Sequence, residues 1–105
     1  MADTLYINSD NIITLTGLYD NLNDAYVNTA TVTSQLTDSA GTAVGSATTL
    51  NYKAGSDGNY EGTRDDATVA AITANCYYTE TTTAINGSAK WIVKKELVAR
   101  YDNAN

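Results

Sequence analysis

The stretch Tyr26-Val-Asn-Thr-Ala-Thr-Val-Thr-Ser-Gln-Leu-Thr37 puts Ala30, Val32, Ser34 and Leu36 on one face and Thr31, Thr33, Gln35 and Thr37 on the other. Alternation at period two over this length describes an antiparallel strand with one dry side and one wet side. The strand runs into Asp38-Ser-Ala-Gly41. There an Asp side chain can bond the turn backbone and a Gly can take positive φ, so a hairpin is expected.

The same short-period pattern extends in both directions. Upstream, Thr4 to Ile7 is a candidate strand, followed by the polar break Asn8-Ser-Asp-Asn11. A second candidate, Ile12 to Leu18, has Ile13 and Leu15 on one face and Thr14 and Thr16 on the other, and a loop rich in Asn and Asp follows from Asp20 to Asp24. Downstream, strands are expected at Ala43–Val44 and at Ala47 to Lys53, the latter with Leu50 and Tyr52 on one face. The dense turn signal Ala54-Gly-Ser-Asp-Gly58 precedes a brief strand, Asn59 to Thr63, that holds Tyr60. Arg64-Asp65-Asp66 reads as a break in the pattern, and Ala67 to Ala74 fits either a short helical turn or extended chain.

Asn75 to Ala84 is the next strand, with Cys76 and Tyr78 on one side and Tyr77 and Thr79 on the other. Asn86-Gly87 is a strong hairpin signal. Ala89 to Tyr101 then forms a long last strand. Its residues Ala89, Trp91, Val93, Leu97 and Ala99 point inward, with Lys95 interrupting them, and Ile92 and Val98 punctuate a charged outer face. Helix competes as a reading of Ile92 to Leu97, but the preceding hairpin signal and the β-branched residues favour strand. Residues 102–105 are expected to fray.

Composition agrees with this reading. The chain of 105 residues is one domain, 1–105, and 43% of it is hydrophobic. It contains no Phe, one Trp and eight Tyr, so tyrosines must serve where phenylalanines usually would. Tyr52, Tyr60 and Tyr78 are read as core residues. Tyr19, Tyr26 and Tyr101 lie near loops or ends and are candidate contact residues, because Tyr adds rigid area with a polar tip.

Charge narrows the functional classes. A net charge of -6 argues against binding nucleic acid through its phosphates. The first fifty-two residues carry no Lys or Arg, whereas Lys90, Lys94, Lys95 and Arg100 fall near the end. This asymmetry implies a basic strip on an acidic body. It reads either as an edge strand guarded by lysines or as a docking surface for an acidic partner, with Lys90, Lys94 and Arg100 as candidate contacts. The start Met1-Ala-Asp-Thr-Leu5 has neither the basic nor the apolar region of a signal peptide. No apolar run approaches the ~18 residues that span a membrane. Synthesis in the cytoplasm, with no membrane association, is the expectation, so Asn86-Gly-Ser88 reads as a turn and not a glycosylation site.

Chemistry is sparse. The absence of His removes Ser-His and Cys-His nucleophilic systems and most zinc sites. Cys76 is the single cysteine; it can form no internal disulfide and reads as a packed core thiol. The carboxylates Asp57, Glu61, Asp65 and Asp66 cluster in sequence, where a calcium site using Asp57, Asn59, Asp65 or Asp66 competes with a reading as solvated acids. The spacing does not match an EF-hand loop. Gly55-Ser-Asp-Gly58 lacks the Lys and helix of a phosphate loop. No catalytic, cofactor-binding or metal-binding residues are expected, and the chain reads as a binding or scaffolding protein. A carbohydrate platform built from the loop tyrosines is the competing binding function.

About seven short strands with turns roughly every ten residues describe an all-β fold, an immunoglobulin-like two-sheet antiparallel β-sandwich. Ile72-x-x-Asn75-x-x-Tyr78 fits a tyrosine corner, in which the hydroxyl bonds back to nearby backbone. The Trp and disulfide of antibody domains are not reproduced, since Trp91 lies in the last strand and Cys76 is unpaired.

The run Ala30-Thr-Val-Thr-Ser-Gln-Leu-Thr-Asp-Ser-Ala-Gly-Thr-Ala-Val44 resembles the early hairpin of small immunoglobulin-like virion accessory proteins of tailed bacteriophages. Leu50-Asn-Tyr-Lys-Ala-Gly-Ser-Asp-Gly-Asn-Tyr-Glu-Gly62, the Tyr78 strand and the final Trp91 to Arg100 strand are similar to the same group. The resemblance implies a capsid decoration (cement) protein, with a neck or head-tail adaptor or a tail component as the alternatives. It also implies the major capsid protein or other virion proteins as partners, self-association as a further option, and location in the virion. It carries no catalytic or binding residues with it.

Overall fold

A computed structural model of the protein describes residues 3–7, 9–65 and 72–101. These fold into nine strands and no helix: β1 (Asp3–Ile7), β2 (Asn11–Leu15), β3 (Tyr19–Asp20), β4 (Ala25–Tyr26), β5 (Thr31–Asp38), β6 (Ala43–Tyr52), β7 (Tyr60–Arg64), β8 (Tyr77–Asn86) and β9 (Ala89–Tyr101). Seven of them form one nearly closed sheet in the order β1-β9-β8-β5-β6-β7-β2, and β3 pairs with β4 as a separate hairpin. All neighbours in the large sheet are antiparallel except β1 and β9, which run parallel from Asp3↔Leu97 to Ile7↔Tyr101. The chain is all-β, and its sheet is mixed.

The alternating stretch behaves as its pattern requires from Thr31 onward. Val32, Ser34 and Leu36 are buried, while the intervening Thr33 and Gln35 are half-buried. The strand does not reach back to Tyr26, however. Tyr26 ends β4, and a bend at residues 28–29 separates it from β5. The bend is held by a buried ring, since the Tyr60 hydroxyl donates to the Val27 carbonyl at 2.7 Å and accepts from the Ala30 amide at 3.1 Å. Local alternation could not reveal that a tyrosine 30 residues downstream fixes this corner.

The two short strands expected at Ala43–Val44 and Ala47 to Lys53 are one strand, β6. Its pattern is broken because the pairing with β5 slips between Ser34↔Thr48 and Leu36↔Val44, a bulge containing Gly45 at φ 69°. Gln35 Nε2 donates to the carbonyls of Leu36 and Gly45 beside that slip. The end of β6 then leaves β5 and pairs with β7 at Asn51↔Glu61 and Tyr52↔Tyr60. This transfer lets the sheet wrap. It also needs Gly62, where a Cβ would stand 2.5 Å from the Thr49 carbonyl oxygen.

The two tight hairpins form where expected. Asp38 Oδ1 accepts from the Ala40 and Thr42 amides, and Gly41 has φ 86°. Asn86 pairs with Ala89 around Gly87 at φ 63°. Ahead of β8, Asn75 takes φ 66°, and the Tyr78 hydroxyl accepts the Thr73 amide at 2.7 Å. Residues 66–71, which hold most of the stretch with two readings, and residues 102–105 lie outside the described residues.

The interior is divided. One apolar cluster contains Leu5, Ile7, Leu36, Ile72, Tyr78, Leu97 and Ala99; the other contains Ile13, Leu18, Val27, Val32, Leu50, Tyr60 and Ala84. Between them lies a polar band. Arg64, only 1% exposed, donates from Nη1 to Glu80 Oε2 at 2.9 Å and from Nη2 to Ser34 Oγ at 3.1 Å, and Thr82 Oγ1 donates to the same Ser34 hydroxyl at 3.3 Å. Arg64 is thus no pattern break. It continues the inward face of Tyr60 and Gly62 as the last residue of β7. Tyr60 and Tyr78 are buried and Tyr52 is half-buried, so tyrosine does fill a core without phenylalanine. Cys76, expected inside, is exposed because it precedes β8 at the corner instead of sharing the inward face of Tyr78.

Removing one member of a buried ion pair leaves the other uncompensated. Arg64→Ala is expected to cost ~3–5 kcal/mol, whereas Arg64→Met with Glu80→Leu should recover most of that loss. Urea unfolding midpoints at unchanged slope are the check.

Candidate docking surface

β9 supplies the only extended basic feature among the described residues. Leu97 and Ala99 are buried, so the alternation places Lys90, Ile92, Lys94, Glu96, Val98 and Arg100 on the outer face. The register fixes their neighbours: Ile85 stands opposite Lys90, Thr83 opposite Ile92, Thr81 opposite Lys94 and Thr79 opposite Glu96. Tyr77 and Thr4 flank Val98, and Tyr6 stands beside Arg100. At ~3.4 Å per residue, Lys90 and Arg100 are separated by roughly 34 Å of strand. Exposed Ile85, Ile92, Tyr77 and Tyr6 lie among these cations, so the face is both charged and apolar.

Lys95 lies on the opposite face, where its ammonium stands 3.5 Å from Asp3. Val93, expected to be inward and packed, is 46% exposed. Among the described residues, β1 pairs with β9 from Leu97 onward and so does not flank Val93. Trp91 is half-buried against the cluster that holds Tyr60 and Ala84. Tyr101 ends β9, and its side chain lies outside the described residues.

Tyr19 and Tyr26 face each other across the β3–β4 hairpin with ring centroids 5.2 Å apart and planes at 81°. Edge-to-face rings of this kind are a favourable aromatic pair; they do not form a flat stacking platform. The Tyr19 hydroxyl donates to the Asp24 carboxylate. That bond, with smaller contributions from desolvation and Tyr26, raises the phenol above its ordinary pKa. Asp20 organises the turn, accepting from the Asn23 side chain at 2.7 Å and the Leu22 amide at 2.9 Å. The Asn23 side-chain bond is the main reason its carboxyl lies below the ordinary range, and the backbone bonds of Asn23 and Leu22 add to it.

The hairpin tip and the start of β9 enclose a groove of about 260 Å³ lined by Asp20, Asn21, Leu22, Ala89, Lys90 and Trp91. The fold therefore brings the tyrosine hairpin next to Lys90, while Lys94 and Arg100 continue along the strand. Leu22, 94% exposed at the tip, was not singled out by the sequence pattern. A second cavity of about 200 Å³ opens between β1 and β2, with Asp3, Asn11, Thr14, Glu80 and Lys95 among its walls. At one end of this seam the Asn11 side chain bonds both the amide and the carbonyl of Tyr6, at 2.8 and 2.9 Å.

Among the described residues no group of three or more His, Cys, Asp or Glu could hold a metal ion. In the stretch from Asp57 to Asp66, the Asn59 side chain accepts the Gly17 amide at 2.8 Å, and Asp66 lies outside the described residues. Comparison with known proteins found no matching family model, curated protein or solved structure.

The depressed Asp20 pKa ties the hairpin turn to pH. Its stabilising bonds are fully present above the ordinary carboxylate pKa and are lost as pH falls through the lower folded-state value. Amide exchange at Leu22 and Asn23, compared with intrinsic rates, is expected to lose protection across that acid window, while β5 and β8 amides keep theirs.

Proposed function

We propose that this chain is an immunoglobulin-like virion accessory protein of a tailed bacteriophage that decorates and stabilises the head shell. In this reading it acts by binding and has no catalytic role. The observation that carries the proposal is the outer face of β9, where Lys90, Lys94 and Arg100 share one side with Ile92 and Val98 and a single acid, Glu96, on a body of net charge -6. Apolar area provides the contact, and the cations select an acidic shell surface and orient the encounter. Repetition over a shell then makes modest individual contacts effective.

Three features support the immunoglobulin-like assignment. The first strand runs parallel beside the last. β6 pairs with β5 up to Leu50 and with β7 at Asn51 and Tyr52, a transfer of the kind by which a strand crosses between the sheets of a sandwich. The Tyr78 hydroxyl accepts a backbone amide five residues upstream, as a tyrosine corner requires. A second reading, a carbohydrate- or receptor-binding module, draws on the groove beside Trp91.

Cosedimentation with expanded empty heads of the cognate phage tests the proposal. Binding should saturate in proportion to the number of shell subunits, raise the heat resistance of the shells, weaken with salt, and fall sharply for Lys94→Glu with Arg100→Glu. A handful of copies per particle would move the protein to the neck or tail. No binding to heads would overturn the virion-shell role and leave glycan binding by the isolated domain as the next assay.

A further inference from the structure

The groove between the β3–β4 tip and the start of β9 is walled by Asp20, Asn21 and Leu22 on one side and by Ala89, Lys90 and Trp91 on the other. Both walls are anchored. The Val27 amide donates to the Leu18 carbonyl at 2.9 Å across the base of the hairpin. The Thr29 hydroxyl donates to the Asn86 side chain at 3.3 Å, next to the turn that starts β9. Leu18 and Val27 are buried in the same apolar cluster that Trp91 packs against. The groove is therefore preformed, as small-ligand sites usually are. Its polar groups are either fixed or free. Asp20 accepts from the Leu22 amide, the Asn23 amide and the Asn23 side chain. A carboxylate offers about four acceptor sites, so Asp20 is locked in position with capacity to spare. Among the described residues, the Asn21 carboxamide, the Lys90 ammonium and the Trp91 indole N–H have no partner within the chain.

The ligand class follows from this balance of charges. An anion would meet Asp20 and a cation would meet Lys90, and like charges brought together cost affinity. A purely apolar ligand would take water from three donors and give nothing back. Sugar hydroxyls both donate and accept, and the C–H face of a sugar ring has the flat apolar area that an indole can cover. We propose that the groove holds one uncharged pyranose unit of a glycan. The ring lies against Trp91, Asp20 accepts from its hydroxyls, and Asn21 and Lys90 donate to them. At about 260 Å³ the groove falls just below the ~300–1,000 Å³ of drug-sized sites, so it encloses one ring and leaves the rest of a glycan in solvent. This site rests on the carbohydrate-binding reading, whereas shell docking can fail without affecting it.

Trp91 is the sole tryptophan of the chain, so its fluorescence reports occupancy of the groove directly. Methyl glycosides of glucose, galactose, mannose and N-acetylglucosamine are titrated into the purified chain, with methyl glucuronide and glucosamine as charged counterparts. At least one uncharged glycoside should change the emission saturably, and the charged sugars should bind about tenfold more weakly or worse. Asn21 and Lys90 are exposed, so their variants keep the fold. Asn21→Ala should weaken binding severalfold, and Lys90→Gln should remove much of the penalty on glucosamine. A preference for glucuronide or glucosamine over the uncharged sugars would overturn the proposal. Saturable glycan binding that leaves Trp91 emission unchanged and ignores both substitutions would overturn this site while the carbohydrate-binding reading stands. No emission change with any glycoside, together with no binding to a glycan array, would overturn both.

Discussion

The interior of this protein is organised around a guanidinium that has almost no contact with water. Arg64 at the end of β7 reaches across to Glu80 on β8 and Ser34 on β5, so three strands of the wrap meet through one side chain. Removing two charges from water costs several kcal/mol each, and the pair recovers that cost only when geometry and extra hydrogen bonds cooperate. Here Ser34 and Thr82 extend the network, and Arg64 Nε is the one buried side-chain polar atom among the described residues left without a partner. Such a band is a poor source of stability compared with hydrocarbon, but it is selective. A slip of one residue in β7 or β8 would turn that strand's apolar residues outward and leave the other strand's charge buried without its partner.

The band also explains why the core comes as two clusters. Val32 and Leu36 on β5 belong to different clusters because Ser34 lies between them, and Tyr78 and Ala84 on β8 are separated by Glu80 and Thr82. Each end of the wrap carries its own tyrosine, Tyr60 at one and Tyr78 at the other, and each hydroxyl is anchored to backbone in a neighbouring loop. Loop positions near the candidate surface, including the bend that frees the β3–β4 hairpin to approach β9, follow from these anchors.

Strand identity was legible wherever one face was dry and the other wet. β5, β8 and β9 are the clearest cases, together with both glycine-marked hairpins. Legibility failed where a residue's role is set by distant partners. Arg64 and Glu80 are in phase with the inward faces of their strands, through Tyr60 and Tyr78, yet Arg64 reads locally as a break, because only the opposing charge on a distant strand gives it a place inside. Cys76 and Val93 erred in the opposite sense: both have core chemistry, but one sits just before its strand begins and the other lies where β1 gives no cover. The basic strip was visible as a cluster in the sequence. Its separation into three outer cations and an inward Lys95 followed from the period-two alternation, whereas the Asp3 beside Lys95 is brought there by the β1–β9 pairing. The groove at Leu22 was not visible, because it arises from the approach of two elements far apart in the chain.

The parallel pairing of β1 with β9 carries a consequence for how the chain reaches this state. Contacts between the earliest and latest strands have the greatest sequence separation the domain allows, and such contacts slow folding. During translation β1 has no place to dock until β9 has emerged from the ribosome. The seam beside β2 stays unfinished until then, and the apolar side chains Leu5 and Ile7 wait in the open. Completion of this domain is therefore a late event gated by β9, and any ribosome stalled within β9 would hold a nascent chain with its first strand unhoused.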